Sequence, residues 1–330
     1  MDKNKIFPKI SVGIPTFNQS KFLERAIESI LNQTVKPNEI VISNNHSIDE
    51  TEIILKKYEN HPKIKIIKPL KHLNVAKHFN FIVNQLKSEW FTLLASDDIV
   101  YPNFIETLMI GISRDPDCIL VRCGWDNIDI YDNLIDRRYI LSLKKITSPP
   151  RTFLEQISGP KTSFAAFASR KSIWNKVNGF DENLHHDVDW AYWLSISPYG
   201  KFIYEPKIVV KYRNNYRPNE EKKRFFKELS DHLYIQNIII PQVAKKLNIN
   251  LNKIKRKRYS SFKRKLIRAS QLFDQNERQE LTNLFLLHDV GGIRKISQKF
   301  INGKIWLDSA CKKKLITFIR KAFSLIRCLL

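Results

Sequence analysis

The acidic pair Asp97–Asp98 stands one residue beyond the apolar segment WFTLLA, residues 90–95. Carboxylate oxygens are the ligands that Mg²⁺ and Mn²⁺ prefer, and such a cation can bridge a protein to phosphate groups. An isolated Asp-Asp pair is more often a turn or the cap of the next helix. The pair therefore predicts a metal site only if the fold brings further polar groups beside it.

Short apolar segments alternate with amphipathic segments over the first hundred residues. The apolar segments are rich in β-branched residues and predict buried strands, whereas the amphipathic ones have the helical spacing of apolar positions. This alternation is typical of βαβ units and a parallel sheet. The predicted strands are 10–15, 39–43, 64–67 and 90–95, and the predicted helices are 21–32, 49–58 and 74–86.

Polar residues follow three of these strands at their carboxyl ends: Thr16–Asn18, Asn44–Asn45 and Asp97–Asp98. In an open α/β sheet the ligand crevice lies outside the carboxyl ends of the strands. The three groups are therefore expected to meet in one crevice. Convergence of independent strand ends favours a ligand site over three unrelated turns.

After the first hundred residues the chain has a mixed helix and strand pattern, followed by a basic region. The pattern of apolar residues predicts helices over 104–112 and 187–196, the second of which begins with acidic residues. It predicts strands over 118–123, 164–169 and 207–213. Beyond about residue 218 the sequence is basic and predominantly helical in pattern. Residues 251–330 hold 20 Lys and Arg against 5 Asp and Glu, so +15 of the net charge of +23 lies there.

Residues 304–330 have apolar positions at spacings of about four and seven with Lys and Arg between them. This pattern predicts an amphipathic helix that lies in an anionic membrane interface, although such a stripe can also pack on a protein core. The N-terminal residues do not have the pattern of a signal peptide, and no uncharged apolar stretch has the length of a membrane span. We therefore expect a cytoplasmic protein, peripheral at the inner face of the membrane.

Several segments, in order along the chain, resemble those of the family 2 glycosyltransferases with a GT-A fold, of the type that builds bacterial cell-surface glycans. They are ISVGIPTFNQSKFLERAIESILNQT, EIVISNNHSIDET, HLNVAKHFNFIVNQLKSEWFTLLASDD and GFDENLHHDVDW, within about residues 8–215. The resemblance implies a Rossmann-like α/β domain, with a mostly parallel sheet flanked by helices, over residues 1–217. Its nucleotide-sugar half would span about 8–100 and its acceptor half about 101–217, with 218–330 as a helical basic extension.

The resemblance also implies a nucleotide-diphosphate sugar as donor and a divalent metal, Mg²⁺ or Mn²⁺, as cofactor. Asp98 would bind the metal and Asp97 the ribose. At the position of Asn44 the family usually has Asp, and this difference leaves the identity of the nucleotide base open. The remaining residues of the predicted nucleotide site are Pro15, Thr16, Phe17 and Asn44.

Asp187 is the candidate general base that takes the proton of an acceptor hydroxyl, and Asp189 is a candidate for support. The expected course is a single displacement with inversion at the anomeric carbon. His186 stands where the family often has Glu, which changes the charge beside the base. As an alternative, Asp187 and Asp189 are acids in the first turn of a helix that they stabilise electrostatically.

The expected function is transfer of a sugar to a hydroxyl of a glycan or lipid-linked glycan, in the synthesis of a surface polysaccharide such as capsule, O-antigen or lipooligosaccharide. A nucleic-acid-binding protein is one alternative, but the basic region has few aromatic residues for base stacking, so nucleic acid is not expected as a partner. A nucleotidyltransferase usually has a glycine-rich phosphate loop, which the segment ISVGIPTFNQS lacks. A catalytically inactive scaffold is the third alternative.

Overall fold

The first hundred residues form the parallel half of a mixed sheet. In the computed structural model the described residues are 8–138, 143–214 and 220–254, together with 257, 258, 265, 268 and 272–274. Strands and helices alternate as expected, and β3, β2, β1 and β4 are neighbours in that order. The bounds are β1 Ile10–Thr16, α1 Ser20–Leu31, β2 Glu39–Asn44, α2 Thr51–Lys56, β3 Ile64–Ile67, α3 Val75–Gln85 and β4 Trp90–Leu93.

The second half of the sheet mixes parallel and antiparallel strands. Its order continues from β4 through β9, β6 and β10 to β5, with β7 paired to β6 and β8 paired to β10. The strands are β5 Ile99–Val100, β6 Cys118–Ile128, β7 Leu134–Arg138, β8 Ile146–Thr147, β9 Phe167–Arg170 and β10 Lys201–Arg213. The helices are α4 Phe104–Ile112, α5 Arg151–Leu154, α6 Lys171–Lys176, α7 Val188–Ile196, α8 Glu221–Tyr234 and α9 Ile240–Lys246, with a π-helical segment Ile235–Ile239 between the last two.

The predicted α/β class with a sheet flanked by helices is confirmed, and the sheet is parallel only in part. Strand β9 runs antiparallel to both β4 and β6, whereas β6 and β10 are parallel to one another. An antiparallel strand inserted between two others depends on pairing over a long sequence distance. Local hydrophobic periodicity carries no information on such pairing.

Helices α1 and α3 cover the sheet with their apolar faces. Five residues of α1 are buried, at the helical spacing that the sequence predicted: Phe22, Leu23, Ala26, Ile27 and Ile30. Complete burial of such side chains stabilises the fold by roughly 1.5–3 kcal/mol each. On β1, a Cβ atom added to Gly13 would lie 2.5 Å from a side-chain carbon of Ile82, so glycine lets α3 approach this strand closely.

Helix α1 begins one residue before the predicted start at residue 21. Gln19 is the N-cap and Ser20 is the first helical residue. The backbone N–H of Ser20 donates to Asp49 Oδ2 at 2.9 Å. A carboxylate from the loop before α2 therefore satisfies an N–H group that has no partner within the helix.

The chain divides into two compact units, Met1–Leu251 and Asn252–Leu330. The first unit ends further along the chain than residue 217, the boundary that the sequence suggested, because α8, the π-helical segment and α9 are part of it. The predicted amphipathic helix within 304–330 lies outside the described residues. Among the residues that are described, no helix combines the length and the apolar character that a membrane span requires.

Candidate active site

An open cleft of about 490 Å³ lies at the carboxyl ends of the parallel strands. Thr16 at the end of β1, Asn45 just after β2 and Asp97 beyond β4 all line it. The register of the sheet explains this, because Thr16 pairs with Asn44 and so places the ends of β1 and β2 side by side. The structure thus brings together the three strand ends that the sequence predicted to converge.

Asp98 lies beneath the cleft and is only 1% exposed. Its Oδ1 accepts a hydrogen bond of 2.7 Å from the backbone N–H of Arg213, while its buried Oδ2 has no hydrogen-bond partner. Burial and the charge of Asp97 raise the pKa of Asp98 well above its usual value, against the opposing hydrogen bond and charge of Arg213. A buried carboxylate oxygen without a partner is costly, and a bound cation would remove that cost.

Arg213, the last residue of β10, holds the turn that carries the acidic pair. Its side chain is fully buried, and its Nε donates to the backbone carbonyl of Asp97 at 2.7 Å. A second nitrogen donates to the carbonyl of Asp129 at 2.8 Å, and the guanidinium packs over the ring of Phe22. Arg213 therefore fixes both the backbone of Asp97 and, through its own N–H, the carboxylate of Asp98.

The donor set of the acidic pair fits a divalent cation. Among the described residues, no three His, Cys, Asp or Glu side chains cluster as a metal cage. Mg²⁺ is usually held by one or two protein carboxylates, with substrate phosphates and water completing its coordination. Two adjacent carboxylates, one of them with an oxygen that lacks a partner, match that chemistry.

Pro15, Thr16 and Phe17, three residues of the predicted nucleotide site, line the cleft. The ring of Phe17 is 45% exposed and lies 4.7 Å, between centroids, from the ring of His72. The hydroxyl of Thr16 is buried and has no hydrogen-bond partner. The exposed ring of Phe17 is suited to pack against the flat base of a nucleoside.

Asn44 is not one of the residues that line the cleft. Its Nδ2 donates to Glu52 at 2.8 Å, and its Oδ1 accepts from the backbone N–H of Ser47 at 2.9 Å. The amide therefore joins α2 and the loop that follows β2. Asn45 lines the cleft instead, and its own amide makes two hydrogen bonds of 2.9 Å with the backbone of Leu73.

Asp187 is the N-cap residue of α7, and its side chain is 17% exposed. Its Oδ1 lies 3.1 Å from Nδ1 of His186. His185, two residues before it, lines the cleft. The loop that carries the predicted base therefore borders the cleft that holds Asp97.

Asp189 lies in the first turn of α7, and its Oδ1 accepts a hydrogen bond of 2.7 Å from the N–H of Trp190. Burial and the charge of Asp187 raise the pKa of the Asp189 carboxyl to about 7. Asp189 is therefore partly protonated at neutral pH. A neutral acid beside Asp187 can donate a hydrogen bond to it, whereas two charged carboxylates repel one another.

The raised pKa of Asp189 predicts a pH-dependent loss of stability. Between pH 4 and 7 the folded protein retains a proton on Asp189 that the unfolded chain releases, so this residue destabilises the fold as the pH rises to 7. Retention of the proton over this range corresponds to about 3 kcal/mol, at about 1.4 kcal/mol per pH unit. We therefore expect the melting temperature of Asp189→Asn, relative to the natural protein, to rise by roughly 6–12 °C between pH 4.5 and 7.5, taking about 2–4 °C per kcal/mol. Thermal unfolding at both pH values measures this, and an unchanged difference would contradict the raised pKa.

Several residues of the cleft were not predicted from the sequence. They come from helices and loops far apart in the chain, and they include His72, His78, Phe79, Phe164, His185 and Lys227. Burial lowers the pKa of His78 to about 4, so this residue is neutral, and its Nε2 lies 2.9 Å from the hydroxyl of Ser43. Lys227 belongs to α8, which the sequence suggested was part of the basic extension.

Parts of longer proteins are similar in sequence to this chain. Chondroitin synthase of Escherichia coli is 32% identical over 208 residues, which are 62% of this chain and 29% of that protein. Hyaluronan synthase of Pasteurella multocida is 28% identical over 234 residues, 70% of this chain and 23% of that protein. The chain thus spans less than a third of the length of these two relatives.

Crystal structures of S. aureus TarS have the same fold. The structure of its residues 1–349 in complex with UDP superimposes with a TM-score of 0.59 at 15% identity, covering 83% of this chain and 78% of that one. The complex with UDP-GlcNAc gives a TM-score of 0.55 at 14% identity, covering 90% and 92%. The expected GT-A fold is confirmed by this likeness.

The sequence model described as "Glycosyl transferase family 2" matches residues 11–176. The match includes the strand ends and the acidic pair, and it stops before the loop of Asp187. It covers half of the chain, and it agrees with the family that the motifs indicated. The chain therefore belongs to glycosyl transferase family 2.

Proposed function

We propose that this protein is an inverting glycosyltransferase. It moves a sugar from a nucleotide-diphosphate donor to a hydroxyl of a glycan or lipid-linked glycan, in the synthesis of a surface polysaccharide such as capsule, O-antigen or lipooligosaccharide. The observation that carries the proposal is the cleft in which Thr16, Asn45 and Asp97 meet, bordered by the loop of Asp187. Such a cleft can hold a donor on one side and an acceptor on the other.

The donor binds at the strand ends. Phe17 packs on the base, Asp97 binds the ribose, and Asp98 holds Mg²⁺ or Mn²⁺ through the oxygen that has no partner in the protein. When bound, the cation neutralises the diphosphate that leaves the sugar. The solved relatives with UDP and UDP-GlcNAc support a nucleotide-diphosphate sugar as donor. A role for Asn44 is indirect, through the loop that it joins to α2.

The acceptor binds on the side of α7. The carboxylate of Asp187 takes the proton of the acceptor hydroxyl while the hydroxyl oxygen attacks the anomeric carbon. The bond between that carbon and the diphosphate oxygen breaks, and the diphosphate leaves with the electron pair. Attack and departure occur on opposite faces, so the configuration inverts. Asp189 supports Asp187 from the first turn of the helix.

The basic C-terminal region is proposed to bring the enzyme to its acceptor. Its charge of +15 over residues 251–330 suits the anionic inner face of a cell membrane, where a lipid-linked acceptor would lie. The similarity to chondroitin and hyaluronan synthases supports a polysaccharide product. Within this proposal the enzyme is cytoplasmic and peripheral to the membrane.

A thermal-stability screen against nucleotide sugars tests the donor site. We expect at least one UDP, dTDP or GDP sugar to raise the melting temperature by several degrees with Mn²⁺ or Mg²⁺, because a ligand at a hundred times its Kd stabilises by about 2.7 kcal/mol. The matched control is the same ligand with EDTA in place of the metal. No stabilisation by any donor, together with DNA or RNA binding that falls steeply with salt, would favour the nucleic-acid-binding alternative.

A further inference from the structure

Helix α8 buries two acids together with apolar residues such as Phe225 and Leu229. Glu228 and Asp231 are 3% and 1% exposed, whereas Lys222, Lys223 and Lys227 on the same helix are exposed. A carboxylate is costly to bury unless hydrogen bonds compensate for the lost water. The contacts that compensate Asp231 all go to one loop.

One oxygen of Asp231 accepts three consecutive backbone N–H groups. The donors to Oδ2 are His185 at 2.9 Å, His186 at 2.6 Å and Asp187 at 2.9 Å. Consecutive N–H groups that point to one place form an anion-binding concavity. Here the anion is a side chain of the protein itself, and it fixes the backbone at the start of α7.

The side chain of His186 is held between the same helix and Asp187. Its Nδ1 lies 3.1 Å from Asp187 Oδ1, and its Nε2 lies 3.2 Å from Nε of Arg224. Arg224 also donates to Glu228 at 3.0 Å. Two turns of α8 therefore contact both the backbone and the side chains of residues 185–187.

We propose that Asp231 is a positioning residue for sugar transfer, acting through Asp187. By holding three N–H groups it sets the place of the Asp187 Cα atom, and thereby the distance from its carboxylate to the acceptor hydroxyl. Helix α8 then contributes a residue on which the rate of sugar transfer depends. The proposal rests on the proposed role of Asp187 as base.

Asp231→Asn tests the proposal, because the amide retains one acceptor oxygen but has no charge. We expect kcat to fall about 10- to 100-fold, since misplacing a reacting group by about 1 Å costs up to this much. The KM for the donor and the metal-dependent stabilisation by the donor should stay within twofold of the natural protein. Glu221→Gln, the same change on the same helix, is the matched control and should retain full activity.

A double-mutant cycle separates positioning from general stabilisation. If Asp231 acts through Asp187, adding Asp231→Asn to Asp187→Asn lowers the residual single-turnover rate by less than twofold. Full additivity of the two losses would overturn the proposal. An unchanged kcat in a folded Asp231→Asn or Asp231→Glu variant would also overturn it. The Glu variant serves as the test if the Asn variant does not fold.

Amide hydrogen exchange gives a readout that needs no activity. Exchange at residues 185–187 should become at least tenfold faster in Asp231→Asn and stay unchanged in Glu221→Gln. Faster exchange in a protein that transfers no sugar would contradict the proposed function but leave the contact of Asp231 with this loop established. Unchanged exchange would overturn the positioning role by itself.

Discussion

Replacing Asp187 by Asn lowers the rate of sugar transfer by about 100- to 10,000-fold, the range that a general base contributes. The amide has the shape of the carboxylate but cannot take the proton of the acceptor hydroxyl. The side chain is 17% exposed and is not one of those that line the cleft at the strand ends, so donor binding should be unaffected. Steady-state kinetics with the donor found in the stability screen measure kcat, and thermal shift measures donor binding.

Two further variants show whether the effect belongs to Asp187. Asp181→Asn changes another acid of the same loop, whose carboxylate accepts hydrogen bonds from Asn183 and Tyr234, and should leave kcat within a few-fold. Asp189→Asn retains the proposed base and should therefore lose less activity than Asp187→Asn. If Asp189→Asn is the inactive variant and Asp187→Asn retains turnover, the base is Asp189, whose pKa of about 7 would also suit that task.

The acid limb of the pH–rate profile should reflect the same pair. If Asp187 is the base, as proposed, it acts in its charged form, and a protonated Asp189 favours that form by removing a neighbouring negative charge. The ionisations of the two carboxyls are therefore coupled. The apparent pKa of the acid limb describes the pair and not either residue alone.

The sequence predicted the elements of the donor half because each depends on local pattern. Strand β3 has the predicted bounds, as does helix α4 at the start of the acceptor half, and the polar groups at Thr16, Asn45 and Asp97 meet as expected. In a parallel sheet the chain direction places all carboxyl ends at one edge, so the order of the elements already implied the cleft.

The contacts that support the site could not be predicted, since each joins distant parts of the chain. Arg213 reaches the turn of Asp97 across more than a hundred residues, and Asp231 reaches the loop of Asp187 from a helix whose composition suggested a solvated extension. The side-chain amide of Asn44 lies at the predicted strand end, but it is hydrogen-bonded to Glu52 and to the backbone of Ser47. Polar residue types at a site do not show which of them are already satisfied by neighbours.

Asp98→Asn should abolish metal-dependent stabilisation by the donor and lower transfer by about 100- to 1,000-fold, the size of a lost electrostatic contact at a developing charge. The variant should nevertheless fold as well as the natural protein in the absence of metal. Asparagine retains an oxygen that accepts the N–H of Arg213, and it removes a buried charge that Asp97 repels. Melting temperatures with EDTA, with Mn²⁺ and with Mn²⁺ plus donor measure both effects.

Asp97→Asn decides which carboxylate holds the cation. Asp97 lines the cleft, whereas Asp98 lies beneath it with one oxygen taken by Arg213. If Asp98 is the metal ligand, Asp97→Asn weakens donor binding but leaves its dependence on Mn²⁺ in place. If Asp97→Asn removes that dependence and Asp98→Asn retains it, the cation is held by the carboxylate that lines the cleft. Asp98 would then be a buried acid that ties the turn to β10, and its unpartnered oxygen would need another explanation.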